Sequence, residues 1–298
     1  MKIRIYLTIV LAGFSLLASC SYLDQVPEDE LTLEMVFNDK TRTEDWLAGI
    51  YAGIADPYWD YMNKAGYDMT LPTAWTTFDW TVLHMVAGNW SPATEWKMYY
   101  WSELPKYIRS AYIFLDHVKP LPQDGVTASE VALMKNEARF MIAYYYWLLI
   151  ETYGPIPFSP GLVDAGASNE ELLIGQTPFY TIVDWIDKEL TEAAKGLPAY
   201  YTNNNKFGRA TSVMCHAVRA RMLLFAASDL VNGNPDYAGH VNKKGEALFS
   251  TQHDPSKWTK AAEACRELIE LAEGNGYRLY TELTADGKID PFLSYQNM

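Results

Sequence analysis

The chain has 298 residues, 49% of them hydrophobic and 20% charged, which fits a folded globular protein and excludes a disordered tail. Its 24 basic and 37 acidic residues leave a net charge of −13, which argues against nucleic acid as a partner and against docking on anionic lipid. Aromatic residues reach 14%, an excess that any functional reading has to place.

Lys2 and Arg4 supply a short positive start, and Ile5 to Leu17 then run without a charge. A run of that length suits a signal peptide and falls short of the roughly 20 apolar residues that span a bilayer. Leu17-Ala18-Ser19-Cys20 resembles the lipobox of bacterial lipoproteins. Residues 1–19 are therefore expected to be a lipoprotein signal peptide, with Cys20 as the lipid anchor on a membrane face outside the cytoplasm. Each buried methylene adds about 0.8 kcal/mol, so several acyl chains hold a protein that has no spanning helix. Residues 20–40 read as the lipidated N-terminus and a polar tether, and the folded domain is placed at 41–298.

Helical patterns then recur. Residues 43–55 put Trp46, Leu47, Ile50, Tyr51 and Ile54 on one stripe. Residues 93–118 form a long aromatic helix that Pro105 should kink or split. Residues 129–153 follow, with Ser129 as the expected cap, and the uncharged run Phe140 to Ile150 should be buried on both faces. Further helices are expected at 178–194, 211–231 and 256–273, the last with an apolar stripe from Trp258 to Ala272. Gly- and Pro-rich breaks fall at 154–161, 196–198 and 232–239, and strand signals are sparse. The fold class is all-α, with paired helices at a spacing that suits repeat units of about 34 residues. Cys215 and Cys265 could pair in an oxidising compartment, but each lies on an apolar helix face, and two buried free thiols are the favoured reading.

The stretch 56–92 differs, being aromatic and rich in Thr, Gly, Pro and Asn with little helical period. A connection that long inside a compact domain is usually functional, and its aromatic content speaks against disorder. Six tryptophans fall in or just after it: Trp59, Trp75, Trp80, Trp90, Trp96 and Trp101.

Enzymatic signatures are missing: no G-x-S-x-G, no H-E-x-x-H, no P-loop and no G-x-G-x-x-G in a strand–helix context. The five histidines have no ligand spacing, and the calcium-loop reading around Asp286 fails because Thr284 and Leu293 occupy ligand positions. No metal, no cofactor and no catalytic residue are expected. Asp68, Asp79 and Glu95 are the carboxylates a glycosidase would need, but 37 acidic residues put some near any point.

Glu137 to Phe158, EARFMIAYYYWLLIETYGPIPF, resembles the core helix and Gly-Pro turn of the SusD/RagB proteins, surface glycan-binding lipoproteins. Three further stretches resemble family motifs in the same order: Cys20 with Leu23-Asp24, Phe207-Gly208-Arg209-Ala210, and the helix from Trp258 to Leu271. Ile142 departs from the pattern, standing where a polar residue is common. Family members also usually continue well past a helix equivalent to 256–273, so the sequence is read as the N-terminal part of a longer protein.

The resemblance implies a tetratricopeptide-like helical scaffold with long irregular loops. It further implies a binding protein, not an enzyme, that captures oligosaccharide or polysaccharide over a TonB-dependent, SusC-like outer-membrane transporter. Transfer of the binding site points to the stretch after Leu71-Pro72-Thr73. A pyranose has an apolar C–H face and a hydroxyl rim, so a flat aromatic ring with carboxylates and amides beside it suits the ligand. Trp75, Phe78 and Trp80 are the stacking candidates, and Asp68, Asp79 and Asn89 the hydrogen-bonding ones. Trp75 and Trp80 read equally well as pins holding the segment to the helices beneath; Trp90, Trp96 and Trp101 read as packing. Arg219, Arg221 and His216 are assigned to the scaffold, where each arginine should meet a carboxylate. Competing functions are a transporter-capping lipoprotein for peptide or another nutrient and, less favoured, a glycoside hydrolase.

Overall fold

The computed structural model describes residues 31–54, 86–89, 91, 100–164 and 166–298. Its first helices are α1 (Leu33–Phe37) and α2 (Lys40–Tyr51). Helical packing therefore begins inside the stretch read as tether, because Val36 and Phe37 are buried. Phe37 rests against the rings of Trp46 and Phe114. Helix α2 starts earlier than the apolar stripe suggests, since Asp39 caps it by accepting from the Arg42 N–H at 2.8 Å.

Helix α3 (Tyr100–His117) runs unbroken through Pro105, so of the expected kink or split the split does not occur. Proline removes one backbone donor, but Tyr100, Leu104, Ile108, Ala111 and Phe114 keep one buried stripe on both sides of it. Packing of that stripe outweighs the lost bond. Residues 93–99, the expected start of this helix, lie outside the described residues.

Helix α4 (Ala128–Tyr153) is the centre of the fold, 26 residues and about 39 Å long. Its cap is Thr127, not Ser129: Thr127 Oγ1 accepts from Glu130 N–H at 3.2 Å, and the Glu130 carboxylate accepts from Thr127 N–H at 2.8 Å. Between Phe140 and Ile150 every residue except the half-buried Tyr144 is buried, as the uncharged run requires. Gly154 ends the helix with φ +68, and a Cβ there would sit 3.2 Å from the Phe249 ring.

A one-turn helix α5 (Asn169–Leu172) precedes α6 (Phe179–Lys195), whose first N–H donates to Leu248 O at 3.0 Å. Helix α7 (Ser212–Ala227) is capped by Thr211. It stops four residues short of Val231 because Ser228 turns extended. Buried Asn232 then donates to Ala227 O and Asp254 O and accepts from Asp254 N–H, fastening the end of α7 to the start of α8 (Ser256–Gly274). Gly233, with φ +86, lets the chain pass the His253 backbone, which a Cβ would meet at 2.5 Å.

The apolar stripe of α8 is only half used. Ala261 and Ala264 are buried against α7, whereas Trp258 and Ile269 stay exposed on the outermost helix of the stack. A two-residue hairpin, β1 (Glu282–Leu283) with β2 (Ile289–Asp290), and a short α9 (Pro291–Gln296) follow. They pair Glu282 with Asp290 and Leu283 with Ile289, antiparallel.

The long helices pack as a row, α2 and α3 on α4, α4 on α6, α6 on α7, and α7 on α8. Nearest-neighbour stacking of this kind is the logic of helical-repeat scaffolds. Cys215 is buried and Cys265 half-buried, and both are free thiols. Among the described residues no helix is long and apolar enough to cross a membrane, and no cluster of His, Cys, Asp and Glu is arranged to hold a metal.

Candidate functional site

Two of the motifs and the end of the α2 stripe meet in one buried polar cluster. Glu137, on α4, has no solvent exposure. Its Oε2 accepts from Arg209 Nε at 2.7 Å and from the Tyr51 hydroxyl, on α2, at 2.8 Å. The same Tyr51 oxygen accepts from Ala210 N–H at 2.9 Å. A carboxylate, a guanidinium and a phenol thus tie α2, α4 and the turn before α7 together. Burial raises the Glu137 carboxyl above its ordinary range, opposed by the Arg209 charge and the Tyr51 bond. Burial works against the Arg209 charge, but Glu137 more than compensates and leaves that group above its usual value. Burial, with the Glu137 charge behind it, lifts the Tyr201 phenol to about 12. Glu137 Oε1 and the Tyr201 hydroxyl are buried and lack hydrogen-bond partners.

This cluster fixes the C-terminal turn of α2, the point from which the Trp-rich segment departs. Gly53 follows that turn; a Cβ there would lie 2.6 Å from the Tyr107 ring and 2.7 Å from the Tyr145 hydroxyl, so only glycine fits. The Tyr145 hydroxyl donates to Ile50 O, pinning the same turn to α4.

Trp75, Phe78, Trp80, Asp68 and Asp79 lie outside the described residues, as do Glu95, Trp90, Trp96 and the anchor Cys20. Asn89 is described and exposed at the far end of the segment. Trp101 corrects the reading that made it packing: it is 55% exposed at the start of α3, held edge-on to Tyr153 with ring centroids 5.3 Å apart. Its neighbour Tyr100 takes the buried position instead. The inward series Tyr100, Leu104, Ile108 already sets the helical phase that turns Trp101 outward.

The scaffold role of the α7 arginines holds. Arg219 donates to Asp187 on α6 and to Glu267 on α8, both at 2.5 Å, and Lys260 reaches Asp187 at 2.8 Å. Arg221 reaches Glu151 on α4 at 2.9 Å. Asp286 is held within its own turn by Lys288 at 2.8 Å, as a hairpin needs and a cation site does not.

A row of stacked helices of this kind defines a helical-repeat scaffold, and the sequence pattern of one such family covers most of this chain. The chain belongs to the SusD-like family described as starch-binding and associating with the outer membrane, whose pattern matches residues 21–224. Starch-binding protein SusD of Bacteroides thetaiotaomicron is 26% identical over 174 residues, covering 56% of this chain and 28% of that protein. The solved structure of BT4246 is 32% identical with a TM-score of 0.70, covering 87% of this chain and 43% of its own. A SusD-like carbohydrate binding protein (BF0978) of Bacteroides fragilis shares the fold at 17% identity and a TM-score of 0.54, over 79% of this chain and 41% of that one. The chain therefore spans less than half the length of these relatives.

Proposed function

We propose that this chain is the carbohydrate-capturing part of a lipoprotein anchored through Cys20 to the outer membrane. It holds oligosaccharide over a TonB-dependent, SusC-like transporter and passes it on uncleaved. The observation that carries this reading is the family match over 21–224, which includes the whole Trp-rich segment. Supporting it, the described elements before and after that segment in the chain are packed into the fold, α2 through the Tyr51–Glu137–Arg209 cluster and α3 through its buried stripe. Trp75, Phe78 and Trp80 supply the stacking faces, and Asp68, Asp79 and Asn89 the hydroxyl contacts. Trp101 joins them as an exposed indole next to the segment.

Isothermal titration against a polysaccharide panel tests the reading. Trp75→Ala and Trp80→Ala should each weaken binding about tenfold or more, the scale of one buried aromatic contact. Full affinity in both variants removes the site assignment. The bound sugar should be recovered intact, and Cys20→Ser should release the protein from membranes. Co-purification with a β-barrel transporter without any glycan binding would shift the cargo to peptide or another nutrient.

A further inference from the structure

Helix α2 and the turn from Asn203 to Arg209 enclose a groove of about 530 Å³, within the roughly 300–1,000 Å³ range of small-ligand sites. Its walls carry Glu44 and Tyr51 from α2 and Asn205, Lys206, Phe207 and Arg209 from the turn. Phe207 is 87% exposed, and no other large hydrophobic side chain among the described residues is more so.

That exposure is held in place by the backbone. Lys206 N–H donates to Asn203 O at 2.9 Å, Phe207 N–H to Asn204 O at 3.1 Å and Arg209 N–H to Lys206 O at 3.2 Å. The Asn203 side chain adds a cap, accepting from Asn205 N–H at 2.9 Å. Gly208, with φ +88, makes the bend between Phe207 and Arg209, and both of these line the groove. Arg209 is fixed through its Nε to fully buried Glu137, and its terminal nitrogens have no hydrogen-bond partner among the described residues. The Asn205 amide and Lys206 amine are likewise without one. An exposed aromatic face on a hydrogen-bonded turn, beside unpartnered donors, offers a contact surface.

We propose that this groove is a second carbohydrate site, in which a neutral oligosaccharide stacks on Phe207 and its hydroxyls meet Arg209, Asn205 and Lys206. Arg209 is paired with Glu137, Glu44 lines the same groove as Lys206, and the whole chain carries −13, so the groove has no net positive surplus to hold a polyanion. The proposal rests on the carbohydrate reading of the chain but not on the Trp75 segment.

Titration of the full chain with neutral gluco-, xylo- and manno-oligosaccharides, with oligogalacturonate as the charged control, decides it. Phe207→Ala should weaken one neutral sugar about tenfold, and Phe207→Tyr should restore it; the side chain is exposed, so neither change touches the core. A Trp75→Ala/Trp80→Ala double variant should keep the Phe207-dependent part of the binding. If Phe207→Ala binds as the parent does while the double tryptophan variant loses everything, the groove is overturned and the segment reading stands. The reverse pattern supports the groove and overturns the segment. Binding of oligogalacturonate alone overturns the neutral class, and a parent that binds no sugar overturns both sites.

Discussion

Glu137 and Arg209 form a pair in which one partner is entirely buried and the other 27% exposed. That asymmetry predicts unequal costs for removing either side. Arg209→Met strands a carboxylate in the interior and should cost about 3–5 kcal/mol, the range for a broken buried pair. Glu137→Gln strands a guanidinium that water can still reach, and should cost about 2 kcal/mol after discounting for screening. The double variant should cost less than the two together, because neither charge is then left alone. Urea unfolding of the three variants checks the order; a larger loss for Glu137→Gln would contradict it. His216 makes a second residue-scale case. Burial and the nearby Arg219 charge lower its pKa from 6.5, while Glu267 pulls the other way, and its Nδ1 is buried without a partner. The unfolded chain therefore binds this proton more readily than the folded one. Stability from keeping His216 neutral is present above pH 6.5 and is lost as pH falls from there through the folded pKa. His216→Gln should flatten the Tm-against-pH curve in that window, and an unchanged slope would remove His216 as its cause.

Elements were legible where the pattern was dense and blurred where caps decide. The uncharged run Phe140–Ile150 demanded a helix buried on both faces, and α4 has one. Its start was misread because Ser129 sits nearest the apolar series, although only Thr127 has a glutamate three residues on to complete the capping box. Thr127→Ala should therefore lower stability by about 1 kcal/mol while Ser129→Ala, without a capping bond to lose, stays near zero. Thermal denaturation of the pair tests this directly. Pro105 shows the opposite competition, a local breaker overruled by five buried side chains that keep one stripe in register. Contacts between elements were harder to foresee. Nothing local in EARF or FGRA announces that Glu137 and Arg209 meet, since 72 positions separate them and either could have faced water.

At the scale of the whole molecule, the row of helices has one well-covered interior and one open end. The core runs from Phe37 through Trp147 and Phe179 to Ala264, and it encloses polar groups that must be satisfied from within, Glu137 and Asn232 among them. The stripe on α8 promised a covered face from Trp258 to Ala272, but composition cannot say whether a partner surface exists: Ala261 and Ala264 are buried, Cys265 and Leu268 half-buried against the core, and Trp258 and Ile269 exposed. Beyond it Leu279, in the stretch before β1, and Leu283, Ile289, Phe292 and Tyr295, on the hairpin and α9, all stand exposed. Contiguous apolar surface of more than a few hundred Å² drives association in water. The 298-residue chain should accordingly bind hydrophobic dyes and self-associate with rising concentration, despite a net charge of −13 that opposes contact between copies. Phe292→Glu with Tyr295→Glu should suppress both, since the two rings leave the core untouched and each new carboxylate adds repulsion. Sedimentation velocity at low and high salt separates the contributions. High salt should strengthen association of the parent by screening the like charges, and do so less for a variant that has lost its apolar face. A parent that stays monomeric under both conditions would show that these side chains fold onto one another instead of presenting a continuous surface.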